Sequence, residues 1–297
     1  MMTSANTLAC EPEPGVSLSI ADRTSLRTVR QPGLGRITVE QTGGRSVVRS
    51  VYATSPLRLL TPKNHGHAVW IYASSYGGGL VDGDAITIHV AVGTDSQAFL
   101  STQSATKVYR SPRGTAVTLC ADVEENGLLV CVPDAVVCYA GARYRQSQKI
   151  NLASGAGLIL LDWFTSGRRE CGERWLFDEY LSHTVIHQDG HLMVHDALAL
   201  RASDGELVTR LGRYDVMAVA VVIGQMLQGD VDRIMARVQD ERVRRHADRI
   251  VTVAPVSSAG CVLRVAGPSI EDVEHTLRDL LYFVPGLLGD SPWARKW

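Results

Sequence analysis

Four histidines, His183, His187, His191 and His195, recur every fourth residue. Imidazole is a good ligand for divalent transition metals, so on one helix face these rings would form a metal box. Asp189-Gly190 in their midst breaks any such helix and reads as a hairpin turn. Strand register then decides which rings meet. A two-residue Asp189-Gly190 loop sets His183 and His187 on the face opposite His191 and His195. A three-residue Gln188-Asp189-Gly190 loop with a bulge pairs His187 with His191 and His183 with His195. All four then share a face, with Ile186, Leu192 and Val194 on the other. This second register is the more amphipathic and is the one the sequence predicts. Four rings on a strand face can bind a divalent transition metal, and a solvated strand face accounts for them equally well.

The other distinctive segment is Gly77-Gly78-Gly79-Leu80-Val81-Asp82-Gly83-Asp84. A dinucleotide fingerprint would need a helix to start after the glycines, because the helix N-terminus holds the pyrophosphate. Here Ala85 to Val92 alternates Ile86, Ile88, Val90 and Val92 with Thr87, His89 and Ala91, which is a strand. No G-x-x-x-x-G-K-[ST] motif occurs, so a P-loop is excluded. The segment reads as a bend, with Asp82 and Asp84 as turn formers and the glycines permitting tight backbone packing. Lys107, in the strand-like stretch Thr106 to Val108, could anchor a carboxylate, although most lone strand lysines are solvated. There is no G-x-S-x-G elbow and no H-E-x-x-H helix.

The elements that must carry these residues are mainly β. Thr115 to Val123 alternates like Ala85 to Val92. Turn signals at Gly43-Gly44, Glu125-Asn126-Gly127, Ala153-Ser154-Gly155, Asp189-Gly190 and Asp204-Gly205 punctuate many short strands. Two helices are predicted late in the chain. One spans 229–246, with Val231, Ile234, Met235 and Val238 at helical spacing. The other spans 269–284, opened by Ser269 with Asp272 as an acidic capping box and stopped by Pro285-Gly286. Residues 1–16 read as a disordered lead-in, and 17–297 as a single β-rich domain.

A net charge of −1 gives no footprint for nucleic acid or an anionic membrane. Arginines 237, 242, 244, 245 and 249 are interleaved with acids, so they read as a solvated helix face. No two of the six cysteines form a C-x-x-C pair, and no signal peptide is visible. The apolar run Val216 to Leu227 falls short of the ~20 residues that span a bilayer. These features make the cytoplasm the expected compartment.

Several segments, in order, resemble the urease accessory protein D family (UreD, also UreH). They are Ser55-Pro56-Leu57-Arg58-Leu59-Leu60, the glycine motif Gly77 to Asp84, and Ser104 to Tyr109. Leu129 to Pro133 follows, then Gly167-Arg168 through Gly172-Glu173, and the ending Gly286-Leu287-Leu288-Gly289 with Pro292 to Trp297. Glu170, Cys171 and Tyr76 depart from the family pattern. The resemblance implies a β-helical stack of sheets with two helices. It also implies a non-enzymatic chaperone that scaffolds UreF and UreG on urease apoprotein. In that family an acid of the glycine motif and the Glu of the Gly-Glu pair are implicated in nickel handling, which here are Asp84 and Glu173. Nickel would be cargo in transit, with no tightly bound cofactor; ligands that let go suit carboxylates along a wet passage. The competing readings are that Asp84 caps a turn and that Glu173 pairs with Arg168 or Arg174. For the whole chain they are a β-helical enzyme acting on polysaccharide through Asp82, Asp84 or Glu173, or a plain β-rich interaction domain. An aromatic content of 6% tilts against a sugar cleft.

Overall fold

The computed structural model describes residues 31–63, 66–241, 247–257 and 259–294. The expected lead-in 1–16, residues 17–30 of the expected domain, the last turn of the helix expected over 229–246, and residues 295–297 lie outside this set.

Among the described residues the chain is mainly β, as its alternation predicts. The strands in chain order are β1 (Gly33–Thr42), β2 (Arg45–Ala53), β3 (Leu57–Leu60), β4 (Val69–Ser75), β5 (Ala85–Val92) and β6 (Gln97–Thr102). They continue with β7 (Thr106–Val108), β8 (Thr115–Val123), β9 (Leu128–Cys131), β10 (Val136–Cys138), β11 (Arg143–Leu152) and β12 (Gly157–Thr165). The last are β13 (Glu179–Gln188), β14 (His191–Arg201), β15 (Val216–Ile223), β16 (Ile250–Ser257) and β17 (Gly260–Gly267).

One sheet runs β14-β13-β11-β8-β5-β1-β2; the other runs β16-β17-β15-β12-β9-β6-β4-β3, with β7 and β10 branching from β12. In the middle of the chain successive passages cross from one sheet to the other, β5 to β6, β8 to β9, β11 to β12. Within each sheet these strands pair in parallel.

The two faces of the second sheet explain its sequence. Leu158, Leu160 and Phe164 of β12 pack toward the first sheet, while Ile159, Leu161 and Trp163 pack on the opposite side against helices. A strand covered on both faces reads as a continuous apolar run, and so do GLILL in β12 and VMAVAVVI in β15. The run Val216 to Leu227 is therefore a central strand and a short turn. No helix among the described residues is long and apolar enough to cross a membrane.

The helices are α1 (Leu207–Leu211), α2 (Gln228–Asp240), α3 (Ile270–Leu280) and α4 (Val284–Leu288). α2 buries Val231, Ile234 and Val238, the predicted stripe, and α3 buries Val273, Leu277 and Leu280. Ser269 caps α3 by accepting a hydrogen bond from the Asp272 amide at 3.1 Å, as its position predicts. Two details differ from expectation. α3 ends at Leu280, and Pro285-Gly286 sits inside α4, where Pro is tolerated in the first turn because the missing N–H has no partner there anyway. α1 and α4 are single turns, too short for apolar spacing to reveal. Of the arginine cluster, Arg237 on α2 pairs with Asp279 and Arg249, beyond the helix, pairs with Glu241, both exposed, while Arg242, Arg244 and Arg245 lie outside the described residues.

Inner-face rungs of the first sheet change character across it. One rung runs Ile86, Val117, Gln146, Ser182; the next runs Ile88, Leu119, Gln148, Thr184. Aliphatic side chains at β5 and β8 thus give way to amides and hydroxyls at β11 and β13, opposite Asp162 on the facing sheet.

Candidate functional site

The glycine bend leads into a strand, β5, as expected. Gly77 and Gly78 take positive φ (85° and 74°), which accounts for two glycines by conformation, with no neighbour close to where a Cβ would stand. Gly79 is the close-packed one: a Cβ there would meet the Lys107 carbonyl oxygen and a Tyr109 ring carbon at 2.7 Å. That closeness lets the Leu80 N–H donate to Lys107 O at 2.8 Å and the Tyr109 N–H donate to Leu80 O at 3.0 Å. Lys107 itself is exposed, as a solvated strand lysine is.

The two acids singled out by resemblance sit at different points of the edge formed by turns at the strand ends, Asp84 just before β5 and Glu173 after β12. Asp84 is 4% exposed, and its carboxylate accepts from the Val81 N–H at 2.9 Å, a turn-forming contact. Asp82 is engaged by Arg113, whose backbone N–H and Nε donate to the carboxylate at 2.7 and 2.8 Å. Glu173 accepts from both Nε and a terminal nitrogen of Arg168 and from the Ala140 N–H. The Arg168 guanidinium also lies 4.0 Å from the Tyr139 ring centre. Its hydrogen bonds, chiefly, and the Ala140 amide hold the Glu173 carboxyl below the usual carboxylate range. Backbone bonds Gly83–Gly114, Ser111–Gly141 and Gly141–Leu176 run along this edge between the two acids.

Between the sheets lies a cavity in two lobes of about 110 and 100 Å³, sharing Ala73, Ile88, Thr102, Thr106 and Val117 as walls. Each lobe has room for several waters at roughly 10–15 Å³ apiece. The first reaches Gly78 of the glycine bend; the second reaches Asp134, Gln148 and Asp162. Neither Asp84 nor Glu173 lines either lobe.

Asp162 was not flagged by motif reading. It accepts from Ser182 Oγ at 2.6 Å and from Tyr180 Oη at 3.3 Å, and Gln146 also bonds it. Burial, ahead of any other cause, pushes its carboxyl above the ordinary value. Nearby Gln148 Oε1 is buried without a hydrogen-bond partner. A carboxylate and an orphaned amide oxygen thus stand, with the hydroxyls of Ser101 and Thr102, in the wall of a void whose lining is otherwise mostly apolar. The sequence did carry a signal: Asp162 is the single charged residue in the otherwise apolar strand GLILLDWFT.

The histidine register is a correction. Gln188 pairs with His191 and His187 with Leu192, so the loop is Asp189-Gly190, both at positive φ (49° and 77°). The extra residue is Met193, bulged within β14 between the pairs His187–Leu192 and Ile186–Val194. The bulge lies in the strand and not in the loop, so the four rings do not share a face. His191 falls opposite Gln188, while His183, His187 and His195 take the other side. His183 and His195 alone of the four touch, Nε2 to Nε2 at 2.9 Å. Among the described residues no group of three or more His, Cys, Asp or Glu is arranged to hold a metal ion.

Comparison with known proteins agrees with the resemblance carried by the motifs. A family model described as UreD urease accessory protein matches residues 31–297. The chain is 43% identical over 272 residues to the urease accessory protein UreD of Sorangium cellulosum (strain So ce56), covering 91% of this chain and 86% of that one. It is 39% identical over 266 residues to the UreD of Anaeromyxobacter sp. (strain Fw109-5), covering 89% of each. To urease accessory protein D of Arabidopsis thaliana it is 34% identical over 291 residues, covering 88% of this chain and 99% of that one.

Proposed function

Because the chain belongs to the UreD urease accessory protein family, we propose that it is a cytoplasmic, non-enzymatic chaperone that docks UreF and UreG on urease apoprotein and offers nickel a route inward. Urease maturation is the family's business; the partners, the route and the absence of turnover are our reading. The alternation of successive parallel strands between two sheets supports regarding the core as a β-helical coil, with its interior as the route.

The observation that carries the route is the cavity between the sheets, mostly apolar but with the Asp162 carboxyl in one lobe and the glycine bend beside the other. Nickel in transit wants ligands that bind and release, and one carboxylate with amide and hydroxyl neighbours meets that need better than a closed cage. Asp84 and Glu173 have a different part in this reading. They fix the edge from which the ion enters, Asp84 by holding its turn and Glu173 by holding Arg168.

The test is urease maturation in cells carrying the complete set of accessory proteins. Asp162→Asn keeps the volume and most hydrogen bonds; it should leave pull-down of UreF and apoprotein intact while lowering urease nickel content several-fold, with partial recovery in excess nickel. Asp84→Ala and Glu173→Ala should also lower nickel content without loss of the complex. Normal loading of urease by all three variants would defeat the route, and failure to capture either partner would defeat the scaffold.

A further inference from the structure

The cross-strand histidines carry an inference separate from the interior route. His183 on β13 and His195 on β14 are both exposed, on the outer face of the hairpin. His195 stands directly opposite Val185, and His183 opposite Ala197, so the two rings meet on the diagonal. Their Nε2 atoms are 2.9 Å apart and the ring planes are inclined at 65°.

That separation is informative about chemistry. Two imidazole nitrogens each about 2.1 Å from one ion lie roughly 3.0 Å apart when they subtend a right angle, and roughly 3.4 Å apart at a tetrahedral angle. The 2.9 Å contact is a hydrogen bond between one ring's Nε2–H and the other's lone pair. It lies close to the separation that a right angle at a tetragonal or octahedral ion requires, so only a turn of the rings separates the pair from a chelate. Ions with that preference are nickel(II) and copper(II); zinc(II) favours the wider angle. The neighbours permit it. Ser147 and Ala197, flanking His183 in the sheet, are small, so the rings can turn their lone pairs toward a common point.

We propose that His183 and His195 form a two-imidazole surface site for a divalent transition-metal ion, with nickel(II) or copper(II) preferred over zinc(II). As the ion binds, the donor ring's Nε2 proton is lost to solvent and its Nδ1 takes one up, so both rings ligate as neutral imidazoles through Nε2 with no net proton release. Water fills the remaining positions, so the ion exchanges readily. His187, on the same face but opposite Leu192, and His191, on the other face, take no part.

Isothermal titration of the purified full chain with nickel chloride tests this, with proton NMR of the imidazole ring hydrogens as the site-resolved reading. One class of site should lose at least tenfold in affinity in His183→Ala and again in His195→Ala. His187→Ala and His191→Ala should bind as the parent does, and copper(II) should bind more tightly than zinc(II). Broadening by nickel should strike the His183 and His195 resonances first. All four positions are at least partly exposed, so thermal midpoints of the metal-free variants should match the parent and exclude misfolding as a cause. Undiminished binding in both His183→Ala and His195→Ala, equal losses across all four variants, or no binding at millimolar nickel would each overturn the site. Urease loading reads the interior route independently: the pair can fail while Asp162→Asn still lowers nickel content, and the reverse.

Discussion

Asp162 combines a functional argument with a stability argument of opposite sign. Its carboxyl holds its proton to a higher pH when folded than when unfolded, because burial disfavours the charge. The unfolded chain therefore binds fewer protons in the window from the ordinary value of about 3.9 up to the raised folded one, and stability falls as pH rises through that window. Above it the full penalty of a buried charge is present. Asp162→Asn removes that penalty, and its amide can keep both contacts, the oxygen accepting from one of the Ser182 and Tyr180 hydroxyls and the NH2 donating to the other. We expect the variant to be more stable than the parent at pH 8 by on the order of 1 kcal/mol, about 2–4 °C in melting temperature, with the gain vanishing below about pH 4. Thermal unfolding at several pH values checks this; an equal gain at every pH would mean that the ionised form costs nothing. A residue whose removal stabilises the chain yet impairs nickel loading would be one retained for its charge. At this scale the sequence was legible for turn residues such as Asp84 and Gly77. It was not legible for Asp162, whose meaning depends on Ser182 and Tyr180 arriving from a different sheet.

The elements themselves followed from pattern. β5 and β8 were plain from period-2 alternation because each has one face on the core, and α2 and α3 were plain from their stripes. The hairpin of β13 and β14 was recognised, but its register was not. A bulge at Met193 costs one residue and leaves no composition signal, and that one residue decides which histidines meet. Helix α3 offers a direct measure of how far local rules set stability. Ser269 Oγ satisfies the Asp272 amide and donates to its carboxylate at 2.7 Å. Ser269→Ala should therefore cost about 1 kcal/mol in chemical denaturation, and Ser269→Asp, another good cap, should cost much less. Equal losses would point to the hydroxyl's contact with the Asp272 carboxylate as the stabilising one.

Among the described residues the two sheets have unequal surroundings: the second is sandwiched between the first and the helices, whereas the outer face of the first carries exposed side chains such as Arg145, Lys149, His183 and His195. Thiol chemistry follows from this. Cys131 and Cys261 are buried and their thiols are pushed up to about 12 and about 11, and Cys138 is likewise buried and raised. Cys171, in the turn before Glu173, is the exposed one among the described cysteines. Alkylation of the native chain followed by peptide mapping should find Cys171 modified well before Cys120, Cys131, Cys138 and Cys261; comparable labelling of Cys138 would show that the two sheets part readily. Fold class was legible at this scale because alternation and turn signals accumulate over many strands. The cavity was not, because its walls come from strands far apart in the chain.

That distance has a consequence for how the protein comes to exist. Neighbouring parallel strands in the middle of the chain are roughly thirty residues apart in sequence, Ile86 beside Val117 and Val117 beside Gln146, so each of these parallel pairings must close a long loop before it is rewarded. Folding should be slow for a chain of this length. During synthesis each new rung can lock only onto the one made before it, and a ribosome that stalls midway leaves a bare strand edge with nothing to complete it but another copy.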